Sequence, residues 1–179
     1  PASNHKGDCR FAQGLLVGLV GLWDGICYDF KLVSGKGSEQ KCACNLIGRS
    51  LGQGDLLMCD RNFPAYHTLA LILSRKADYL FHLPGNRFHK LAMLKTPSAR
   101  DGEWYIVLRL SKELHRQFPC FPAEYTARVI RYQRKGFRPS FLITSLLDTN
   151  IYSYEEIVNL YHHRWRQETM HREWKYSLS

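Results

Sequence analysis

Residues 55–83 read DLLMCDRNFPAYHTLALILSRKADYLFHL, and the order of their apolar runs decides the fold class. Residues 55–60 form a short apolar run that suits a buried strand, with Asp60 at its C-terminal end. Pro64 then opens a helix reaching to about residue 76, because proline is tolerated in a first helical turn, where its missing N–H has no partner to lose. Residues 78–83 (DYLFHL) make a second short strand. Strand, helix and strand in this rhythm predict an α/β fold: a parallel or mixed sheet with helices packed on it.

Upstream, two apolar runs at 11–23 and 26–33 meet at Asp24-Gly25, a strong hairpin signal. The stretch LLVGLVGLW at 15–23 is too short and too glycine-rich to span a membrane and reads as a buried strand. Residues 34–38 (SGKGS) form a flexible turn, and 39–51 have helical spacing that stops at Gly52. Downstream, Pro84-Gly85-Asn86 breaks the rhythm. Residues 104–110 and 126–132 then alternate charged and apolar side chains, as in a sheet with one wet face, and Pro119 and Pro122 bracket a loop between them. Residues 141–145 return as a strand of the main sheet. Ser153 or Asn150 can cap a last helix running from near 154 to about 176, with Glu155 and Glu156 in its first turn, where the helix dipole favours anions.

Hydrophobic residues at 45% and charged residues at 23% exclude a disordered chain. Residues 1–10 are polar and carry no initiator methionine, so no export signal is expected, and the chain reads as a fragment or processed product of a longer protein. Its six cysteines are expected to be reduced; Cys27 and Cys59 fall in predicted buried strands, and Cys42-Ala-Cys44 lacks zinc-knuckle spacing. The net charge is +9, and its placement is informative: residues 86–138 hold twelve Lys/Arg against four Asp/Glu, whereas the flanking segments are near neutral. A basic segment between neutral ones suits a polyphosphate partner. The Gly35/Gly37 loop matches neither phosphate-cradling glycine motif, so no nucleotide cofactor is expected.

The chemistry concentrates in LYHHRWRQETMHREWKYSL at 160–178. Tyr161, Arg164, Glu168 and Lys175 are spaced by three, four and seven residues, which on a helix confines them to a sector of about 60°. One face thus offers a carboxylate, two cations and a phenol. That set suits a phosphodiester: the carboxylate holds a divalent cation while the others hold phosphate oxygens. The competing reading is a salt-bridged solvent face, since Arg164 and Glu168 are an ordinary i,i+4 pair.

The pattern Tyr161-x2-Arg164-x3-Glu168-x6-Lys175 resembles the Y-R-E-K signature of DDE transposases of insertion-sequence family four. Residues 54–63 (GDLLMCDRNF) are similar to the family's strand ending in its second catalytic Asp, and 143–148 (ITSLLD) to the strand before its final helix. The resemblance covers residues 11–178 and is weakest in the basic segment. It implies an RNase H-like mixed sheet with flanking helices, interrupted by a basic β-rich insertion and incomplete at the N-terminus. Residues 1–83 would be the first part of that core, 84–140 the insertion, and 141–179 the last strand and catalytic helix. It also implies metal-dependent DNA strand cleavage and strand transfer in cut-and-paste transposition. Asp60 and Glu168 would act as second and third acids in a site holding two magnesium ions, with manganese as a substitute. Tyr161, Arg164, Lys175 and Arg61 would contact DNA, in a synaptic homodimer working in the cytoplasm at the nucleoid.

The family's first Asp has no counterpart in a suitable context. Asp8 lies in the polar N-terminal segment, Asp24 is explained by the hairpin turn, and Asp29 is mid-strand and can point either way. That acid is expected upstream of Pro1, and the alternative function is a DNA-binding remnant without catalysis. His162 and His163 point about 100° apart on a helix and do not chelate together; with His171 they read as DNA-facing or surface residues. Trp165, Trp174, Phe63 and Tyr66 read as core packing before base stacking.

Overall fold

The strand–helix–strand unit of 55–83 is present in the computed structural model, which describes residues 14–83 and 102–164. The strand β3 (Leu56–Cys59) runs parallel to β4 (Asp78–His82), and the helix α2 (Tyr66–Ser74) connects them. Before this unit come β1 (Gly14–Val20), β2 (Cys27–Ser34) and α1 (Glu39–Ser50). After it come β5 (Gly102–Arg109), a short helix α3 (Lys112–Gln117), β6 (Glu124–Tyr132), β7 (Ser140–Thr144) and a helix α4 over 154–164.

β3 to β7 make one mixed five-stranded sheet in the order β3-β4-β7-β6-β5, with every pair except β3–β4 antiparallel. Together with the helices this is the mixed α/β architecture of an RNase H-like fold. β5 and β6, which the sequence assigns to the basic insertion, hydrogen-bond into this same sheet through β7.

Side-chain alternation divides the sheet into two faces. Leu57, Cys59, Tyr79, Phe81, Val129 and Ile143 pack with Ile47 of α1 and Leu69 and Ile72 of α2. Leu56, Met58, Leu80, Ile130 and Leu142 pack with Ile157 and Tyr161 of α4. Helices therefore cover both faces of β4, which is why its three central residues are fully buried. Each such large apolar side chain contributes about 1.5–3 kcal/mol relative to exposure.

The helix ends follow local chemistry. Ser38 caps α1 by accepting from the Lys41 N–H at 3.3 Å, with Glu39 in the first turn and Arg49 in the last, the charge order the dipole favours. Of the two candidates for capping α4, Ser153 does so: its Oγ accepts from the Glu156 N–H at 3.3 Å while the Glu156 carboxylate accepts from the Ser153 N–H at 2.9 Å. This is a reciprocal capping box. Asn150 instead donates its N–H to Asp148.

Two expectations change. The run at 15–23 is not a buried strand: among the described residues β1 pairs only with β2, in a separate two-stranded sheet, and Leu16, Tyr28, Phe30 and Leu32 lie exposed. Cys27, on the same ribbon, is exposed as well. A ribbon with α1 against one face leaves the other uncovered, and apolar content alone does not say which residues fall there. Second, the charged face of β6 is not wet, because Arg128 is 0% exposed beneath the connection leading to α4. The helix α3, which the sequence reading does not assign, precedes the loop bracketed by Pro119 and Pro122; Ser111 caps it by accepting from the Leu114 N–H at 3.2 Å. The Asp24-Gly25 turn does form, with Gly25 at φ 68° and the Asp24 carboxylate accepting from Ile26 N–H and Tyr28 hydroxyl.

Candidate active site

The parallel β3–β4 pair ends with both C-termini on one rim of the sheet. β7 begins and β6 ends on that rim, since Cys59 pairs with Phe81, His82 with Leu142, and Ile130 also with Leu142. Asp60 extends the alternation of Leu56 and Met58 one residue past β3, onto the α4 side. His82 shares that side with Leu80, and Tyr132 with Ile130. The rim thus gathers Asp60, His82 and Tyr132 beneath Tyr161 and Arg164 of α4.

Asp60 is half-buried and its Oδ1 accepts the Arg61 N–H at 2.5 Å; its carbonyl accepts the Phe63 N–H, closing the turn into α2. Tyr161 is 2% exposed, and its hydroxyl points at the Cys59 carbonyl at a long 3.5 Å. Arg164 lies across the Tyr161 ring, its guanidinium carbon 5.3 Å from the ring centre. Burial pushes the Tyr161 phenol well above its ordinary value, and the nearby Arg164 cation partly opposes this. Burial likewise pushes the Cys59 thiol up to about 12, with Arg164 lowering and Asp60 raising it. Asp60 and Arg164 therefore both act on the same two neighbours. Of the four signature residues, the structure brings Tyr161 and Arg164 to Asp60; Glu168 and Lys175 lie outside the described residues, as do His171, Trp165 and Trp174. Arg61 stands exposed beside Asp60.

His82 is a site neighbour that the sequence reading missed. Its ring lies 6.0 Å from that of Tyr161, and its Nδ1 is buried without a hydrogen-bond partner among the described residues. Burial lowers its pKa; Asp60 opposes that, and Arg61 and Arg164 reinforce it. Counting two residues from Leu80 places it on the α4 side, but that face is identifiable only once α4 is docked. The two adjacent histidines diverge as expected: His162 meets Tyr132 edge-on at 5.3 Å, and His163 meets Trp23 at 5.2 Å.

The other acids have structural partners. Asp29 accepts from Arg49 and Ser50 of α1, and these bonds hold its carboxyl well below the usual carboxylate range. Asp24 is held by its own turn. Among the described residues no three His, Cys, Asp or Glu side chains converge on a point that would hold a metal, and Asp60 supplies a single hard oxygen donor. Cys27, Cys42, Cys44, Cys59 and Cys120 are free thiols. No helix among the described residues is long and apolar enough to cross a membrane.

Comparison with known proteins adds two findings. The family model of the transposase DDE domain matches residues 5–179. Transposase InsG for insertion sequence element IS4, from Escherichia coli (strain K12), is 27% identical over 150 residues, covering 80% of this chain and 31% of that protein. The chain thus spans about a third of the length of the curated relative it matches.

Proposed function

Because this chain belongs to the DDE-domain transposase family, we propose that the α4 rim of its sheet is part of a centre for DNA strand cleavage and strand transfer. The observation that carries the proposal is the meeting of Asp60 with Tyr161 and Arg164, residues from distant stretches of sequence, on one side of one rim. A carboxylate beside a guanidinium suits a phosphodiester, whose oxygens need both a metal and a cation.

In this reading Asp60 and Glu168 are the second and third acids. The carboxylate of Asp60 is a hard oxygen donor at a half-buried rim, which fits magnesium, or manganese as a substitute, better than a soft metal. When bound, two such ions supply activation of the attacking oxygen and stabilisation of the leaving one. Arg164, Arg61 and Lys175 hold non-bridging phosphate oxygens and so orient the phosphodiester. Tyr161, for which the resemblance implies a DNA contact, is buried and stands behind them, its phenol bracing the strand end that carries Asp60. Residues 84–140 supply further basic surface for DNA between the core segments 1–83 and 141–179. The working assembly is a homodimer pairing two transposon ends at the bacterial nucleoid.

A second reading, DNA binding without cleavage, is favoured by one observation: among the described residues no three metal-binding side chains converge at Asp60. One experiment separates the two. The chain is incubated with magnesium and terminal-repeat DNA, and nicking is measured for the parent, Asp60→Asn and Glu168→Gln at equal DNA occupancy. Nicking by the parent that both substitutions abolish, with binding retained, is the expected result. Equal nicking in all three removes the assignment of these acids; binding without nicking by the parent moves the conclusion to the second reading.

A further inference from the structure

The turn between β6 and β7 is built unlike the other turns of the sheet. From Arg131 to Arg138 the sequence reads RYQRKGFR, four cations in eight residues, and no Asp or Glu occurs between Glu124 and Asp148. Residues 133–139 are all exposed, and among the described residues no carboxylate pairs with Arg134, Lys135 or Arg138.

The turn is also fixed in shape. The Phe137 N–H donates to the Arg134 carbonyl at 3.0 Å, with Gly136 at φ 84° in the third position, where a left-handed conformation favours glycine. The Gln133 side-chain amide donates to the Phe137 carbonyl at 3.0 Å, bracing the turn from within. Phe137 is left 68% exposed. An ordered turn that holds a large aromatic ring in water among cations presents a ready contact surface.

Its place in the fold gives it a partner. Tyr132 pairs with Ser140, two residues beyond the row in which His82 and Ile130 both pair with Leu142, so the turn projects past the rim that carries Asp60. Two strands, β4 and β7, separate β3 from β6, a lateral distance of roughly 14 Å. A major groove is about 12 Å wide, so a duplex with one backbone at Asp60 brings its facing backbone to the turn. Arg134 also reaches toward α4, where its charge helps lower the pKa of His162.

We propose that the β6–β7 turn is a DNA grip beside the active rim: Arg134, Lys135 and Arg138 bind backbone phosphates, and Phe137 packs against sugar and base edges. The proposal rests on the DNA-processing function proposed above and names a surface for it.

The test uses the 179-residue chain and a mixed-sequence duplex of about 30 base pairs, with affinity measured against salt concentration. Each lost phosphate contact reduces the slope of log K against log salt by about 0.9, so R134Q/K135Q/R138Q is expected to flatten it by about 2–3. The control K76Q/K112Q/R116Q removes the same charge from exposed positions at the opposite end of the strands from the rim and is expected to leave the slope within about 0.5 of the parent's. Phe137→Ala is expected to weaken binding about tenfold with the slope unchanged. All these positions are exposed, so unfolding midpoints serve as the check that folding is intact. A slope reduced no more by the turn variant than by the control overturns the grip while leaving DNA processing standing. A parent that shows no salt-dependent binding overturns both.

Discussion

Arg128 offers the sharpest test of how α4 is held over the rim. Its guanidinium is 0% exposed; it pairs with Glu103 across the β5–β6 ladder and donates to the carbonyls of Leu146 at 3.3 Å and Tyr152 at 2.6 Å. Those carbonyls flank the connection between β7 and α4, so one side chain ties that connection to the sheet. Removing one partner of a buried pair costs about 3–5 kcal/mol, because the other charge is left in low dielectric. Glu103→Gln should fall somewhat below that range, at about 2–4 kcal/mol, since the Glu103 side chain is 28% exposed and its partner keeps two carbonyls. Arg128→Met should reach the full range, about 3–5 kcal/mol, by stranding the carboxylate and both carbonyls. Replacing both partners with apolar groups often restores stability. Here E103L/R128M should still lose about 1–3 kcal/mol, because the carbonyls of Leu146 and Tyr152 stay without their donor. Urea unfolding of parent, singles and double completes the cycle, and about 3 kcal/mol corresponds to a fall of about 6–12 °C in Tm for a chain of this size. Full recovery in the double variant would show that anchoring of the connection contributes nothing. Singles within about 0.5 kcal/mol of the parent would show that the pair is solvated after all.

Other expectations follow from burial and protonation. His67, His82 and His162 all have pKa values lowered chiefly by burial, so the unfolded chain binds more protons than the native one below about pH 6.5. Stability should therefore fall as pH drops below that value, and His67→Gln, on α2 across the sheet from α4, should reduce the slope of the urea midpoint against pH between 7 and 5; an unchanged slope would refute the assignment for His67. Cys59, with its thiol pushed up to about 12, should resist iodoacetamide at pH 8 while exposed Cys27 and Cys120 react first, as read by mass spectrometry of timed samples. Tyr161→Phe should cost under about 1 kcal/mol, given the long contact of its hydroxyl, whereas Tyr161→Ala should cost about 3–5 kcal/mol through the cavity between α4 and the sheet, measured by urea unfolding.

Local signals in the sequence proved dependable where the chain meets itself nearby. The Asp24-Gly25 turn, the stop of α1 before Gly52, the strand–helix–strand unit and the Ser153 cap each depend on residues within a few positions, and all are present. What escaped depends on partners far along the chain. In β6, TARVIRY alternates as a half-wet strand does, yet Arg128 lies buried because Glu103, Leu146 and Tyr152 converge on it from 25, 18 and 24 residues away. The ribbon of β1 and β2 shows the converse: its residues are apolar enough for a core, but α1 stands against one face only.

The grouping at the candidate rim was legible in part, and its two halves differ for a physical reason. Tyr161 and Arg164 fall on one face by helical spacing alone, and Asp60 marks a strand end, but their meeting requires α4 to lie on the side of the sheet that Leu56, Met58 and Leu80 occupy. Period two gives that side two options, and the apolar runs of β3 and β4 do not choose between them, because both faces are covered. Docking α4 makes the choice, and with it His82 joins the site while Cys59 turns away toward α1 and α2. A one-residue slip in β4 would exchange His82 for an apolar neighbour and leave Tyr161 without its ring contact. The grouping at the rim is thus specified twice: by the side chains placed there, and by the packing of Ile157 and Tyr161 on Leu80, Ile130 and Leu142, which selects the face they share.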